Sequence, residues 1–294
     1  MKVWSQLKFF LSGLGNWFVD LELIQEAVLE ADRLGFDGAV IPDHYMWGET
    51  EWLKRPDSNS TLESWITLTY LAAKTNNIRL GTLVTPIPFR SPSMLAKMIS
   101  TLDILSKGRV VVGVGAGWSQ IEFEGYSEWN KPNIRVDKTK EGLELMIKLW
   151  TQKKVTFEGK YYRAKDAILD PKPLQKPHPQ LLFGGRGDKM LQLAGRYADI
   201  CYIPQFRPEA KLEDYLEGKR KVIRAAEKAN RKPQIAFMAG SLGSWRPYDS
   251  KESSKAVEMA VEKGASYFLT SFSRNEDIIG SMRKFATEVM QSFK

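Results

Sequence analysis

Residues 20–47 read DLELIQEAVLEADRLGFDGAVIPDHYMW. Leu21, Ile24, Ala27, Val28, Ala31 and Leu34 recur at helical spacing, and Gly35 follows where a helix cap belongs. Phe36–Ile41 then turns strand-like, and a polar loop runs from Pro42 to Ser60. This unit recurs along the chain. The patterning predicts strands at Val3–Leu11, Phe36–Ile41, Ile78–Val84, Arg109–Gly115, Gln180–Phe183, Asp199–Ile203, Gln234–Ala239 and Tyr267–Thr270. It predicts helices at Asp20–Leu34, Thr61–Thr75, Ser93–Leu105, around Gly142–Trp150, and at Asp188–Gly195, Pro208–Asn230, Ser253–Lys263 and Glu276–Phe293. Strands alternating with helices imply a parallel sheet. Eight such units point to a closed (β/α)8 barrel, an α/β fold. The rival is an open doubly wound sheet. No GxGxxG opens a helix with an acidic residue ~20 positions on, so that rival loses ground.

The rhythm breaks at 153–179. Pro171, Pro173, Pro177 and Pro179 cannot sit inside a helix or a central strand. We expect one barrel domain over 1–294 with a non-barrel insertion at 153–179, before the fifth strand, holding a hairpin around Phe157–Tyr162. No apolar run approaches the ~18–20 residues of a membrane helix, and the N-terminus does not read as a signal peptide. The only cysteine, Cys201, excludes an intrachain disulfide and a cysteine-based zinc site and suits a reducing, cytoplasmic setting. The formal charge of +8 fits solvated helix faces or an anionic ligand drawn by a positive field. No motif supports nucleic-acid binding.

Barrel chemistry sits on the loops that follow the strands. The first of these to matter holds Asp43 and His44. Imidazole exchanges a proton near neutral pH, and an adjacent carboxylate can fix its tautomer and raise its pKa. The alternative is a loop histidine that only holds backbone carbonyls. His178, in Pro177-His178-Pro179, reads as part of a rigid connector. Two histidines are too few for a metal site, and none is expected. The run GGRGDK (184–189) follows a strand and opens a helix, so its amides can face an anion, with Arg186 and Lys189 adding charge. Its alternative is a tight turn with solvated basic side chains. GVGAGW (113–118) alternates glycines through a strand end, which either relieves crowding or admits a flat ligand. Trp47 and Trp118 fall on the same face and could line an aromatic pocket. Glu49, Glu51 and Glu122 also fall on site-face loops, with unread orientation.

Four segments, 31–47, IRLGTLVTPIPFRSP (78–92), LSKGRVVVGVGAGW (105–118) and PKPLQKPHPQLLFGGRGDKMLQLAGRYAD (171–199), together resemble the luciferase-like superfamily of flavin and deazaflavin enzymes. The likeness is greatest to the branch that uses coenzyme F420. The resemblance implies a barrel with the cofactor in its mouth and His44 beside the reactive ring as the catalytic group. It implies cofactor contacts at Asp43, Thr85, Gly117 and Trp118. It implies a strand bulge with a non-prolyl cis peptide at Leu83–Val84, and a phosphate turn at Gly184, Gly185, Gly187 and Asp188. It further implies a small-molecule substrate and a homodimer through Thr61–Thr75 and Ser93–Leu105. Sugar-phosphate dehydrogenases of this group carry a glutamate directly after the glycines of the fourth strand. Here that residue is Trp118, which puts that substrate class in doubt. FMN in place of F420, or a non-catalytic flavin-binding protein, are the rival readings. Loop 42–60 and insertion 153–179 are expected to set the substrate.

Overall fold

In this computed structural model, parallel strands close on themselves. The structure describes residues 6–14, 20–47, 60–204, 212–231, 235–241, 247–273 and 276–294. The barrel strands are β1 (Lys8–Leu11), β2 (Gly38–Ile41), β3 (Arg79–Thr82), β5 (Val110–Gly115), β8 (Gln180–Gly184), β9 (Ile200–Tyr202), β10 (Ala236–Gly240) and β11 (Tyr267–Thr270). Each pairs in parallel with its neighbour, β3 pairs with β5, and β11 returns to β1 with Phe10 opposite Leu269. The short β4 (Thr85–Pro86) resumes the β3 course and pairs with β5, Thr85 opposite Val114. This is the closed eight-strand parallel barrel that the alternating pattern predicts.

Side-chain alternation along each strand builds two cores. Phe10, Val40, Val111, Leu182, Tyr202 and Met238 fill the barrel interior. Phe9, Leu11, Ala39, Ile41, Val110 and Val112 face outward, under the helices. Gly38 lacks a side chain because the Phe10 ring occupies its place: a Cβ there would lie 2.5 Å from the ring.

The helices are α1 (Leu21–Leu34), α2 (Ser64–Lys74), α3 (Pro92–Leu105), α4 (Gln120–Tyr126), α5 (Pro132–Thr151), α6 (Asp188–Tyr197), α7 (Leu212–Lys228), α8 (Ser250–Glu262) and α9 (Ile278–Glu288). Asp20 caps α1 by accepting the amides of Glu22 and Leu23, and Gly35 ends it at φ +81°. Arg109 ties the barrel floor. Its guanidinium donates to the carbonyls of Ala72, Thr75, Ile78 and Ser106, which satisfies orphan acceptors around the ends of α2 and α3. Parts of the predicted first, sixth and seventh units, at 3–5, 208–211 and 234, lie outside the described residues.

The hairpin in 153–179 is present as β6 (Val155–Glu158) and β7 (Arg163–Ala167), paired antiparallel. Glu141 of α5 holds its turn by accepting the amides of Lys160, Tyr161 and Tyr162. Lys172 donates to the Leu149 carbonyl at the end of α5. Gln175 bonds Asp103 and the Val110 carbonyl at the start of β5. The peptides before Pro171 and Pro177 are cis. His178 Nδ1–H donates to the neighbouring Pro179 carbonyl, as a connector histidine would. The insertion joins α5 to β8, so its two ends sit at the barrel floor. Its hairpin turn climbs along α5 to Glu141, two residues from Thr139, whose hydroxyl bonds the Gly115 carbonyl at the mouth end of β5.

Candidate active site at the barrel mouth

Pro42, Asp43 and His44 leave the C-terminal end of β2, and the two polar side chains part ways. Asp43 is 1 % exposed. Its carboxylate takes both terminal nitrogens of Arg90, at 2.7 and 2.8 Å. Thr85 adds its hydroxyl proton to Asp43 Oδ2 at 2.7 Å. A carboxylate has no proton to return, so that single Thr85 proton is committed. The Thr85 oxygen then accepts from the Trp65 indole at 3.2 Å and from the Thr82 hydroxyl at 2.9 Å. Its hydrogen-bonding capacity is full. The side chains of Asp43 and Thr85, which the resemblance implies touch the cofactor, are turned into the protein and brace the segment that carries His44.

Arg90 lies against the Tyr45 ring at 4.9 Å and also pairs with Glu63, the N-cap of α2. Burial pulls the guanidinium pKa down, but Asp43, Tyr45 and Glu63 more than offset it, so the pKa stands above the ordinary arginine value. Burial, the largest influence on Tyr45, raises its phenol above the ordinary tyrosine value.

His44 meets a different carboxylate. Its Nδ1 lies 2.9 Å from Glu122 Oε2, and Glu122 Oε1 accepts the Tyr45 amide at 2.5 Å. The expectation that Asp43 would orient the ring is corrected. Consecutive residues on a non-helical segment face different ways, and Glu122 reaches the ring from the first turn of α4, 78 positions along the chain. The ring lies 4.1 Å from Trp47, tilted by 33°, and 5.7 Å from Trp118, edge to face. Trp47 is buried, whereas Trp118 is 54 % exposed. A histidine with a fixed carboxylate partner and flanking indoles suits proton exchange beside a flat ring. Glu49 and Glu51 lie outside the described residues.

The alternating glycines have packing reasons. A Cβ on Gly113 would lie 2.1 Å from the Thr82 carbonyl oxygen. On Gly115 it would meet Val84 at 2.4 Å, and on Gly184 it would meet Val84 at 2.8 Å. Val84 thus fills the room those glycines leave. The Leu83–Val84 peptide is cis and non-prolyl, at the position the resemblance indicates. Gly117 takes φ +77°, and Phe123 occupies its side-chain space.

The turn that the resemblance implies holds a phosphate offers less open backbone than the sequence suggests. Gly184 belongs to β8, and the Gly185 amide donates to the Tyr202 carbonyl at 3.4 Å. Open backbone begins at Gly187, the N-cap of α6. No side chain caps that helix, and a Cβ on Gly187 would meet nothing within 4 Å. Asp188 is drawn aside to Lys221 at 2.8 Å. Arg186 and Lys189 are exposed. Unpaired helix-start amides with room before them suit a phosphate.

Sequence reading passed over Arg90, Glu63 and Trp65. Arg90 stands in IPFRSP, after β4, but nothing local marks it as the partner of Asp43.

Residues 11–284 match the luciferase-like monooxygenase family, and the chain belongs to it. An F420-dependent glucose-6-phosphate dehydrogenase of Microbacterium testaceum is 32 % identical over 194 residues, 66 % of this chain and 55 % of that protein. An FMNH(2)-dependent dimethylsulfone monooxygenase of Pseudomonas putida is 30 % identical over 182 residues, 61 % of this chain and 48 % of that protein. The chain thus spans about half the length of these relatives. A solved F420-dependent secondary alcohol dehydrogenase, in complex with an F420–acetone adduct, superposes with a TM-score of 0.81 at 22 % identity, covering 99 % of this chain and 100 % of that one. That likeness concerns the fold.

Proposed function

We propose that the chain is an F420-dependent oxidoreductase acting on a small organic substrate, with His44 as its proton-transfer residue. The observation that carries this is the His44–Glu122 pair packed against Trp47 and Trp118 at the barrel mouth. The F420-dependent relatives supply the cofactor class. The residues fit such a group: uncapped α6 amides with open space beside Gly187 suit its phosphate, and the indoles suit its flat ring. When bound, F420 supplies hydride chemistry. The chain orients the ring, excludes water and moves a proton at His44. Glucose 6-phosphate is not carried over from the relatives, because Trp118 stands where the resemblance implies a catalytic glutamate.

FMN is the second reading, supported by the dimethylsulfone monooxygenase relative. Titrating the apo protein with each cofactor separates them. F420 is expected to bind more tightly, and tight FMN binding without F420 binding reverses the assignment. The same titration tests the anion cradle. Gly187 has φ −66°, an ordinary value, so Gly187→Val strains nothing and costs about 1 kcal/mol or less as a poorer N-cap. It should weaken F420 binding by at least ~10-fold, about 1.4 kcal/mol. Arg186→Ala should cost about 1 kcal/mol, the scale of an exposed charged contact. Equal affinity for wild type and folded Gly187→Val removes this turn as the phosphate site.

A homodimer through α2 and α3 belongs to the same reading. Ile66 is 69 %, Met94 63 % and Leu105 58 % exposed, and Tyr70 is also exposed, an apolar face that a second copy would cover. Sedimentation should give twice 33.5 kDa at micromolar concentration. Ile66→Lys with Met94→Lys should shift it to the monomer mass. A monomeric wild type counts against the pairing. Among the described residues no helix is long and apolar enough to cross a membrane. A cytoplasmic site is proposed from the single, fully buried thiol of Cys201, whose pKa burial pushes up to about 12.

A further inference from the structure

We propose that Glu122 is a positioning residue that decides which nitrogen of His44 carries the proton. The inference rests on His44 being the proton-transfer group.

Glu122 is 1 % exposed, so protein groups surround its carboxylate. Oε1 accepts two backbone amides, Tyr45 at 2.5 Å and Met46 at 3.5 Å. An amide N–H can only donate, so Oε1 is held as an acceptor. Both amides belong to the segment that carries His44, and the carboxylate therefore rides with the ring. Oε2 is then presented to Nδ1 at 2.9 Å. An ionised carboxylate has no proton to give, so Nδ1 bears the N–H. Nε2 is left as the basic nitrogen of the neutral ring. Trp47 packs over the ring and Trp118 abuts it, which resists a ring flip that would exchange the nitrogens. Asp43 does not compete for the role, since Arg90 and Thr85 occupy its oxygens.

Glutamine at 122 makes the idea testable because it keeps the shape and changes the donor pattern. Its single carbonyl oxygen is required at the Oε1 position by the two backbone amides. Its NH₂ must then face Nδ1 and donate. That drives the ring proton to Nε2, the wrong nitrogen for a base.

The chain has two histidines, His44 and His178. Nitrogen-15 labelling of histidine therefore gives two ring systems, and His44→Ala assigns them by difference. Spectra are taken on the apo protein at a pH where the rings are neutral. Wild-type His44 should be the Nδ1–H tautomer. Folded Glu122→Gln should show the Nε2–H tautomer, and its turnover should fall by ~10²–10⁴-fold, the scale of a lost base or wrong tautomer. KM should change by no more than a few-fold, because the indoles and the anion cradle are untouched.

An Nε2–H ring in wild type overturns the proposal without any variant, so failure of Glu122→Gln to fold does not shelter it. So does retention of Nδ1–H in folded Glu122→Gln, or a tautomer switch that leaves turnover unchanged. If wild type turns over nothing with F420 or FMN, the functional reading fails instead, and the ring spectra still decide what Glu122 does.

Discussion

Alanine at position 44 is expected to lower turnover by ~10²–10⁴-fold while cofactor affinity stays within a few-fold, the range for loss of a positioned acid–base group. The imidazole packs against both indoles and is fixed by Glu122. Removing it would delete the proposed proton path and leave both indoles as aromatic walls. The proposed anion cradle at the start of α6 follows β8, which pairs with β5 and β9 and is not a neighbour of β2. Phosphate binding should therefore be little disturbed. Glu122 loses its imidazole contact but keeps the Tyr45 and Met46 amides, so the buried carboxylate is not orphaned. The measurement is single-turnover hydride transfer beside a fluorescence titration of the cofactor. Unchanged chemistry in folded His44→Ala would remove this residue from the reaction. A matched loss of affinity would make it a binding residue.

The barrel was legible because helix and strand periods are local signals. Leu21 to Leu34 shows one period, Phe36 to Ile41 the other, and eight repeats leave closure as the natural arrangement. His44 was legible for a similar reason: it directly follows a strand on the side where barrel chemistry gathers. Its partner was not. Asp43 is adjacent in sequence and faces away, whereas Glu122 is remote and in contact. Sequence adjacency on a non-helical segment says nothing about a shared direction. The glycines of 113–117 signalled close approach but not what approaches. Thr82, Val84 and Phe123 fill those spaces, rather than an opening for a ligand. The insertion was visible as proline-rich chain, but its place depends on which rim of the barrel it leaves. Counting whether it joins a helix to a strand, or a strand to a helix, would have put Gln175 on the floor beside Val110.

The Asp43–Arg90 pair should show how much of the site's shape depends on charge. The Asp43 side chain is 0 % and the Arg90 side chain 11 % exposed. Arg90→Met keeps an apolar stem against Tyr45 but leaves a buried carboxylate facing only the Thr85 hydroxyl. Breaking one side of a buried pair costs about 3–5 kcal/mol, mostly from the stranded charge. Urea unfolding should show a lower midpoint with an unchanged slope, which marks a stability loss without altered compactness. Adding Asp43→Asn to Arg90→Met removes that charge and should restore much of the loss, so the two substitutions should be strongly non-additive. Glu63→Gln should cost about 1 kcal/mol or less, since Glu63 is 29 % exposed and shares the guanidinium as a second partner. The damage should also reach the chemistry. Asp43 precedes His44, and through Thr85 it is linked to Trp65 on α2, so a displaced Asp43 moves the segment that holds the imidazole. Arg90→Met assayed below its melting range should therefore lose turnover, and the double variant should regain part of it. Wild-type stability in Arg90→Met would show that packing of Tyr45 and Phe89, rather than the ion pair, fixes the course of the chain out of β2.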